Sequence, residues 1–571
     1  MCRRGSRADT PSVRARRALI GSTLAALFVS VLPEVPAAGA GGPVVWVFGG
    51  MERIHPTSVP GASTDIAMAA ARGEYEPFQI GVRAEGAPLT NVDVAVSDLV
   101  GPGGAVILAA NLTLYREHFI EVGHHSPYWG GPVEPLKGRW FPDALTPFVD
   151  PATGLPPSGG AIPAAPFDVE ADHDQPVWVD VLVPRDAIAG GYVGTYTVTS
   201  DQGSASGRVD LTVWDFTLPV GPSEDSSFLL QRIENSKQAE ELLLRYGIMP
   251  DPVTPENQAG FVDAYGLRSA DLGFWSGAYY GNCSMDRPPS VGTIRRFVGW
   301  QDPRLRLYNY TADEVSGCPS LYGELRAWAR NLHEAGVDQL VTMVPVPELF
   351  HDGSGTGRTA VDIWVMLPEQ LDRVGRASPS LLVRARGKGN DIWSYVALVQ
   401  GGFQPSWELD YPPADYRILP GFLNQAENVT GVLYWAVDYW SADPWTGNEY
   451  RSGRWHYPGE GVLVYPGEPV GVQGVVPSMP RVDPGGDRGL RVRSDPPGPG
   501  SRCRSAIGYR AGGRDLAAVD AGLRRDPGGP RRSRRRDRRL ELIPAVFDPR
   551  RGHASSTGSM RRGSPAARYS R

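Results

Sequence analysis

Arg306-Leu-Tyr-Asn-Tyr-Thr-Ala-Asp-Glu314 is the stretch on which the fold turns. It predicts a short alternating strand that ends in two adjacent carboxylates, followed by a polar loop and a helix over about Leu321 to Ala335. In a barrel of parallel strands the chemistry sits where strands end and loops begin, so a carboxylate pair there is placed to meet a substrate. Taken alone, the dipeptide also reads as a loop opening that caps the next helix.

Working outward, Gln238 to Tyr246 repeats the helical spacing of Leu and Ala. Apolar runs stand between such helices: Leu340 to Val346, Val361 to Val365, Trp393 to Val399 and Gly431 to Val437. Strands alternating with helices imply βα units around a parallel sheet, most simply a (β/α)8-type barrel over residues 223–480. Polar groups cluster near the predicted strand ends: Asp313 and Glu314, then Glu348, Asp362 and Asp438, with Trp435, Trp440, Trp445 and Trp455 close behind. Aromatic faces beside carboxylates suit a sugar, whose C–H faces stack on rings while its hydroxyls bond acids. For any single Trp, packing in the barrel is the simpler reading. Gly353-Ser-Gly-Thr-Gly357 lacks the Lys-Ser/Thr pair that a phosphate loop needs and reads as a turn.

Upstream, residues 41–222 have a different grammar. Short alternating runs such as Gly73 to Val82, Gln175 to Val183, Gly190 to Val198 and Gly207 to Trp214 are broken by Gly, Pro and Asp, which predicts a β-sandwich. A long insertion, roughly His118 to Phe167, is expected to reach toward the barrel. It carries His118, His124 and His125, but no further ligand lies nearby in sequence, so no metal site is expected. No cofactor is expected either. Cys283 and Cys318 are the two cysteines in the body of the chain; pairing in an oxidising compartment and two buried thiols are both open.

The ends differ again. In residues 1–40, Arg14, Arg16 and Arg17 precede an apolar run from Ala18 to Leu32 and a small-residue cleavage site at Ala38-Gly-Ala40. That pattern predicts an export signal and a periplasmic or extracellular protein. The run is too short for a membrane span. Residues 481–571 carry 23 Arg, no Lys and nine acids, and read as a disordered basic tail. That is +14, and residues 1–40 add +4 from six Arg and two acids; with the net charge of −6 this leaves about −24 on residues 41–480, which argues against nucleic acid as a partner of the folded part.

Several stretches together resemble glycoside hydrolase family 123 and its broad bacterial relatives. They are Ala71 to Gln79 and Leu114 to His118 in the predicted sandwich, then Tyr310 to Glu314, Val361 to Val365, Leu433 to Trp440, Asp443 to Trp445 and Val464 to Gly467 in the predicted barrel. The resemblance implies an N-terminal β-sandwich, a catalytic barrel and a glycan substrate. It further implies substrate-assisted hydrolysis of 2-acetamido (N-acetylhexosamine) sugars, as by a β-N-acetylgalactosaminidase, with Glu314 as general acid/base and Asp313 orienting the acetamide. Tyr395, Tyr434, Trp435, Asp438 and Trp440 are the expected substrate contacts. Val315 departs from the Pro expected after the pair in many relatives.

The family's final amphipathic helix is also replaced, after Met479, by the Arg-rich tail. Residues 482–493 read one base out of frame, through codons their residues permit, restore a helix-like segment. A frameshift near residue 480 is therefore expected. Two other functions share the fold: a non-catalytic carbohydrate-binding or cell-envelope protein, and a hydrolase with two carboxylates on opposite sides of the scissile bond.

Overall fold

The structure is a computed structural model that describes residues 41–479 apart from 223, 234, 235 and 404. The expected export segment and basic tail, with the expected frameshift, lie outside the described residues.

The N-terminal part forms two sheets. Leu89–Val96 shows the cause: Leu89, Val92, Val94 and Val96 are buried while Asn91, Asp93 and Ala95 face water, the period of two that gives a strand one apolar face. One sheet orders Val44–Gly49, Tyr75–Arg83, Asp174–Leu182, Leu112–Glu121 and Trp140–Pro147, all antiparallel. The other is built on the long hairpin Gly190–Ser200 and Gly203–Thr217. Val47, Ile80 and Val179 of the first meet Val94, Val198 and Leu211 of the second in one apolar cluster. Each such side chain contributes roughly 1.5–3 kcal/mol by leaving water.

From Asp225 onward eight parallel strands form a single sheet. In chain order they are β1 (Asp225–Leu229), β2 (Pro250–Asp251), β3 (Ser269–Asp271), β4 (Arg306–Ala312), β5 (Asp338–Thr342), β6 (Ile363–Met366), β7 (Asp391–Val396) and β8 (Gly431–Tyr434). Neighbours run β2-β1-β8-β7-β6-β5-β4-β3, so the sheet curls into a near-closed barrel whose seam falls between β2 and β3. Alternation decides which residues fill it. Ile363 and Val365 of β6 point inward with Leu340, Trp393, Tyr395 and Leu433, while Trp364 and Met366 point outward.

Helices cover the outer face where their apolar residues recur at helical spacing. In the helix Tyr322–Glu334, Leu325, Trp328, Ala329 and Leu332 make one buried stripe. Helix α1 (Lys237–Arg245) starts where the Ser236 side chain accepts from the Ala239 N–H. The helical ring is irregular. Among the described residues β5 is followed by a single turn, Pro347–Leu349, and β8 by hairpins rather than a helix. The stretch between the first sheet's last two strands reaches the barrel, the Leu136 N–H donating to the Asp410 carbonyl at 2.7 Å, and in the strand before it His118 Nε2 lies 2.8 Å from the Trp445 carbonyl.

Candidate active site

Asp313 and Glu314 follow the last residue of β4, at the carboxyl end of the barrel strands. The loop after β3 is laced to β4: the Asn309 carboxamide accepts from the Phe274 N–H at 2.9 Å, the Ser276 hydroxyl donates to the Thr311 carbonyl at 2.5 Å, and the Asp313 N–H donates to the Ala278 carbonyl at 3.0 Å. Cys283 in that loop is joined to Cys318, just past the pair, with Cα atoms 5.4 Å apart. The pair is thus held from the strand before and the loop behind.

Directly after Asp313 the backbone turns left-handed, with Glu314 at φ 51° and ψ 36°. For a residue with a Cβ this costs of order 1–3 kcal/mol and persists only where neighbours enforce it. Here the Thr342 hydroxyl at the end of β5 accepts from the Glu314 N–H at 2.6 Å and donates to Asp313 Oδ1 at 2.8 Å. The Tyr310 hydroxyl donates to the same Oδ1 at 2.8 Å. On the other side, the Tyr395 hydroxyl on β7 donates to Glu314 Oε1 at 2.5 Å.

The two carboxyls are therefore unlike. Burial pushes Asp313 above the usual range, opposed by the Thr342 and Tyr310 hydroxyls. Glu314 is raised to about 7, by burial first and then by the neighbouring Asp313 charge, with the Tyr395 hydroxyl pulling the other way. Two hydroxyl donors favour the charged form of Asp313, and burial with a neighbouring charge favours the protonated form of Glu314, the division of labour that an acid and a charge stabiliser need.

Of the expected substrate contacts, Tyr395 joins the pair. Trp435 stands after β8 at the same end of the barrel, half-buried, its ring 5.0 Å from Tyr439 and 5.6 Å from Tyr450, its indole N–H on Glu460. The structure corrects the other three. Tyr434 is fully buried on the outer side of β8 against Phe228 and Trp407, its hydroxyl accepting from the Gly461 N–H. Asp438 is fully buried and accepts from the backbone N–H groups of Gln231, Arg232 and Ile233, at 2.8–2.9 Å, so it holds the loop after β1. Trp440 packs between two apolar clusters and gives its indole N–H to the Val464 carbonyl.

Asp362 likewise stands at the opposite, amino end of β6, bonded to His333 and Arg358. Sequence reasoning missed Thr342, whose hydroxyl binds both halves of the pair, and gave Tyr310 no role. It also missed Trp275, 48% exposed beside the pair with its ring 6.1 Å from Tyr310. An alternation count gives no sign of these, because they are brought together by neighbouring strands.

The barrel that carries this pair is similar to known glycoside hydrolases. Residues 361–476 match the family model described as glycoside hydrolase 123, catalytic domain. The matched span begins downstream of Asp313 and Glu314 and includes Tyr395 and Trp435. Among solved structures, the chain is similar to a family 123 glycoside hydrolase from Clostridium perfringens whose structural analysis concerns glycolipid glycan hydrolysis. Identity is 14% and the TM-score 0.52, over 79% of this chain and 87% of that one, a likeness of fold. A β-glucuronidase from Parabacteroides merdae is 9% identical with a TM-score of 0.26, over 75% of this chain and 51% of that one. No curated protein matches.

Proposed function

We propose that this protein is an exported glycosidase that cleaves 2-acetamido glycosides, as a β-N-acetylhexosaminidase does, with the acetamide of the substrate as nucleophile. The observation that carries the reading is the asymmetry of the pair: Glu314 keeps a proton to about pH 7, while Asp313 beside it is clamped by the Tyr310 and Thr342 hydroxyls.

The acetamide N–H donates to Asp313, which steadies the positive charge as the acetamide oxygen bonds to the anomeric carbon. The glycosidic C–O bond breaks with its electron pair on the leaving oxygen, which takes the Glu314 proton. Glu314, now a carboxylate, then removes a proton from the water that opens the cyclic intermediate, and both groups return to their starting states. No protein nucleophile is needed, which suits two carboxyls on consecutive residues better than the two-sided arrangement of ordinary glycosidases. Trp275 and Trp435 offer ring faces to the sugar.

The N-terminal two-sheet unit is read as a β-sandwich over residues 41–222 that braces the barrel of residues 223–480. The Cys283–Cys318 bond supports export to an oxidising compartment. The test is hydrolysis of paired aryl glycosides with and without the 2-acetamido group. Turnover of the acetamido substrate alone, abolished in Glu314→Gln while sugar binding remains, supports the reading. Binding without turnover of either substrate moves the protein to the carbohydrate-binding class.

A further inference from the structure

A second constellation lies where the first sheet's loop meets the hairpin formed by Glu449–Ser452 and Trp455–Pro458. In that hairpin Glu449 pairs with Pro458 and Arg451 with His456, so Glu449 and His456 are diagonal neighbours on one face. His124 comes to the same point from the stretch after Leu112–Glu121. Glu449 Oε1 lies 3.0 Å from His124 Nδ1 and 2.9 Å from His456 Nδ1, and one ligand atom from each of the three lies within 4.8 Å of the others. The two imidazoles stack with centroids 3.9 Å apart and planes 19° from parallel.

Two features separate this cluster from an ordinary ion pair. His456 Nδ1 is buried and makes no hydrogen bond of acceptable geometry although the carboxylate oxygen is 2.9 Å away. An unsatisfied buried nitrogen aimed at other donor atoms is costly unless something sits between them. The second oxygen of Glu449 is held by the Arg451 guanidinium at 2.8–2.9 Å, which fixes the carboxylate as an outer-shell partner fixes a metal ligand.

We propose that His124, Glu449 and His456 bind one divalent transition-metal ion, Zn²⁺ by preference. A tetrahedral zinc with bonds of about 2.0–2.1 Å sets its ligand atoms roughly 3.3 Å apart; the two Glu449–imidazole spacings of 2.9–3.0 Å lie close to this, and the remaining separation, within 4.8 Å, closes by rotation of the exposed His124 ring. Two imidazoles with one carboxylate select zinc over calcium or magnesium, which take oxygen ligands. The His124 side chain is 57% exposed, so the ion enters from solvent and the fourth position stays open to water.

The ion clasps the hairpin to the first sheet's loop. Tyr450, next to Glu449, packs on Trp435 and Tyr439; Trp455, next to His456, packs on Trp129 with ring centroids 4.7 Å apart. The clasp would therefore steady one aromatic wall at the barrel mouth. The inference stands whether or not the chain cleaves glycosides.

The experiment titrates the untagged, chelator-stripped full chain with ZnCl2 by calorimetry and counts retained metal after dialysis. The proposal expects about one equivalent of zinc, no heat with CaCl2 or MgCl2, and affinity weaker by about tenfold or more in His124→Ala and His456→Ala. His173→Ala, at a histidine outside the cluster, leaves binding unchanged. Half-exposed His124 carries the test if His456→Ala does not fold. Absence of zinc binding, or binding unaffected by His124→Ala, overturns the proposal and leaves a metal-free hydrogen-bonded contact.

Discussion

Replacing Tyr395 by Phe should move the alkaline limb of the pH–rate profile upward. Tyr395 donates to Glu314 Oε1 at 2.5 Å, and that bond favours the charged carboxylate. A hydrogen bond to a charged group contributes about 1.5–3 kcal/mol, and one pKa unit corresponds to about 1.36 kcal/mol, so the loss is about one to two units. A general acid works only while protonated, so kcat/KM falls as pH rises through the Glu314 pKa, about 7 in the wild type. In Tyr395→Phe that fall should come near pH 8–9 by the same conversion. The assay is kcat/KM against pH on a 2-acetamido glycoside whose leaving group is poor enough that protonation limits the rate. Asp313→Asn removes the neighbouring charge and should move the limb the other way, to lower pH, whatever else it does to the rate. A limb that stays fixed in Tyr395→Phe, or that moves in the same direction in both variants, would falsify the assignment of Glu314 as the proton donor.

Asp438→Ala should lower stability by roughly 1–3 kcal/mol, because three backbone N–H groups lose their shared buried acceptor; kcat of the folded fraction should stay near wild type, and a specific loss of substrate affinity would restore Asp438 as a contact. Breaking the Cys283–Cys318 bond, which spans 35 residues, should cost about 3–4 kcal/mol, read as a drop in Tm on adding reductant that Cys283→Ala/Cys318→Ala does not show. Glu408 is fully buried, and burial first, then Glu460 and Asp410, raises it well above the usual range. With its folded pKa raised, its contribution is fully present below the unfolded value of about 4.3 and is lost as pH rises toward the folded one. Thermal melts across pH should show that loss in the wild type and a flatter profile in Glu408→Gln; identical profiles would mean the carboxyl is not buried as its proton-bearing form.

The barrel was legible because its strands advertise themselves. Val361 to Val365 and Gly431 to Val437 are β-rich apolar runs of strand length, and the structure places the bounds of β6 and β8 within three residues of theirs. Its shortest strands were not legible. Pro250–Asp251 and Ser269–Asp271 are two and three residues long, below the window over which periodicity can be counted, and their carboxylates Asp251 and Asp271 belong to the polar interior near the seam. The pair Asp313-Glu314 was legible for a simple reason. Both groups come from one stretch, and the end of a strand is a place that sequence can mark.

What sequence marks is position along the chain, whereas a site is selected by direction. Leu433 and Tyr434 are adjacent on β8, yet Leu433 faces the barrel interior and Tyr434 the outer layer, because side chains alternate across a strand. A strand-end aromatic count therefore assigns half its residues to the wrong side. Asp438 fails for another reason: an acid beyond a strand end either meets substrate or meets the free N–H groups of a neighbouring loop, and only the path of the loop after β1 decides which. Thr342 shows the converse. It ends an apolar strand and has nothing unusual around it, but it is the residue that β5 places beside β4 at the level of the pair, and its one hydroxyl fixes both the charge on Asp313 and the left-handed turn at Glu314. The chemistry at this mouth thus depends on register between two strands, and Thr342→Val, which keeps the shape and removes the hydroxyl, separates that contribution from packing.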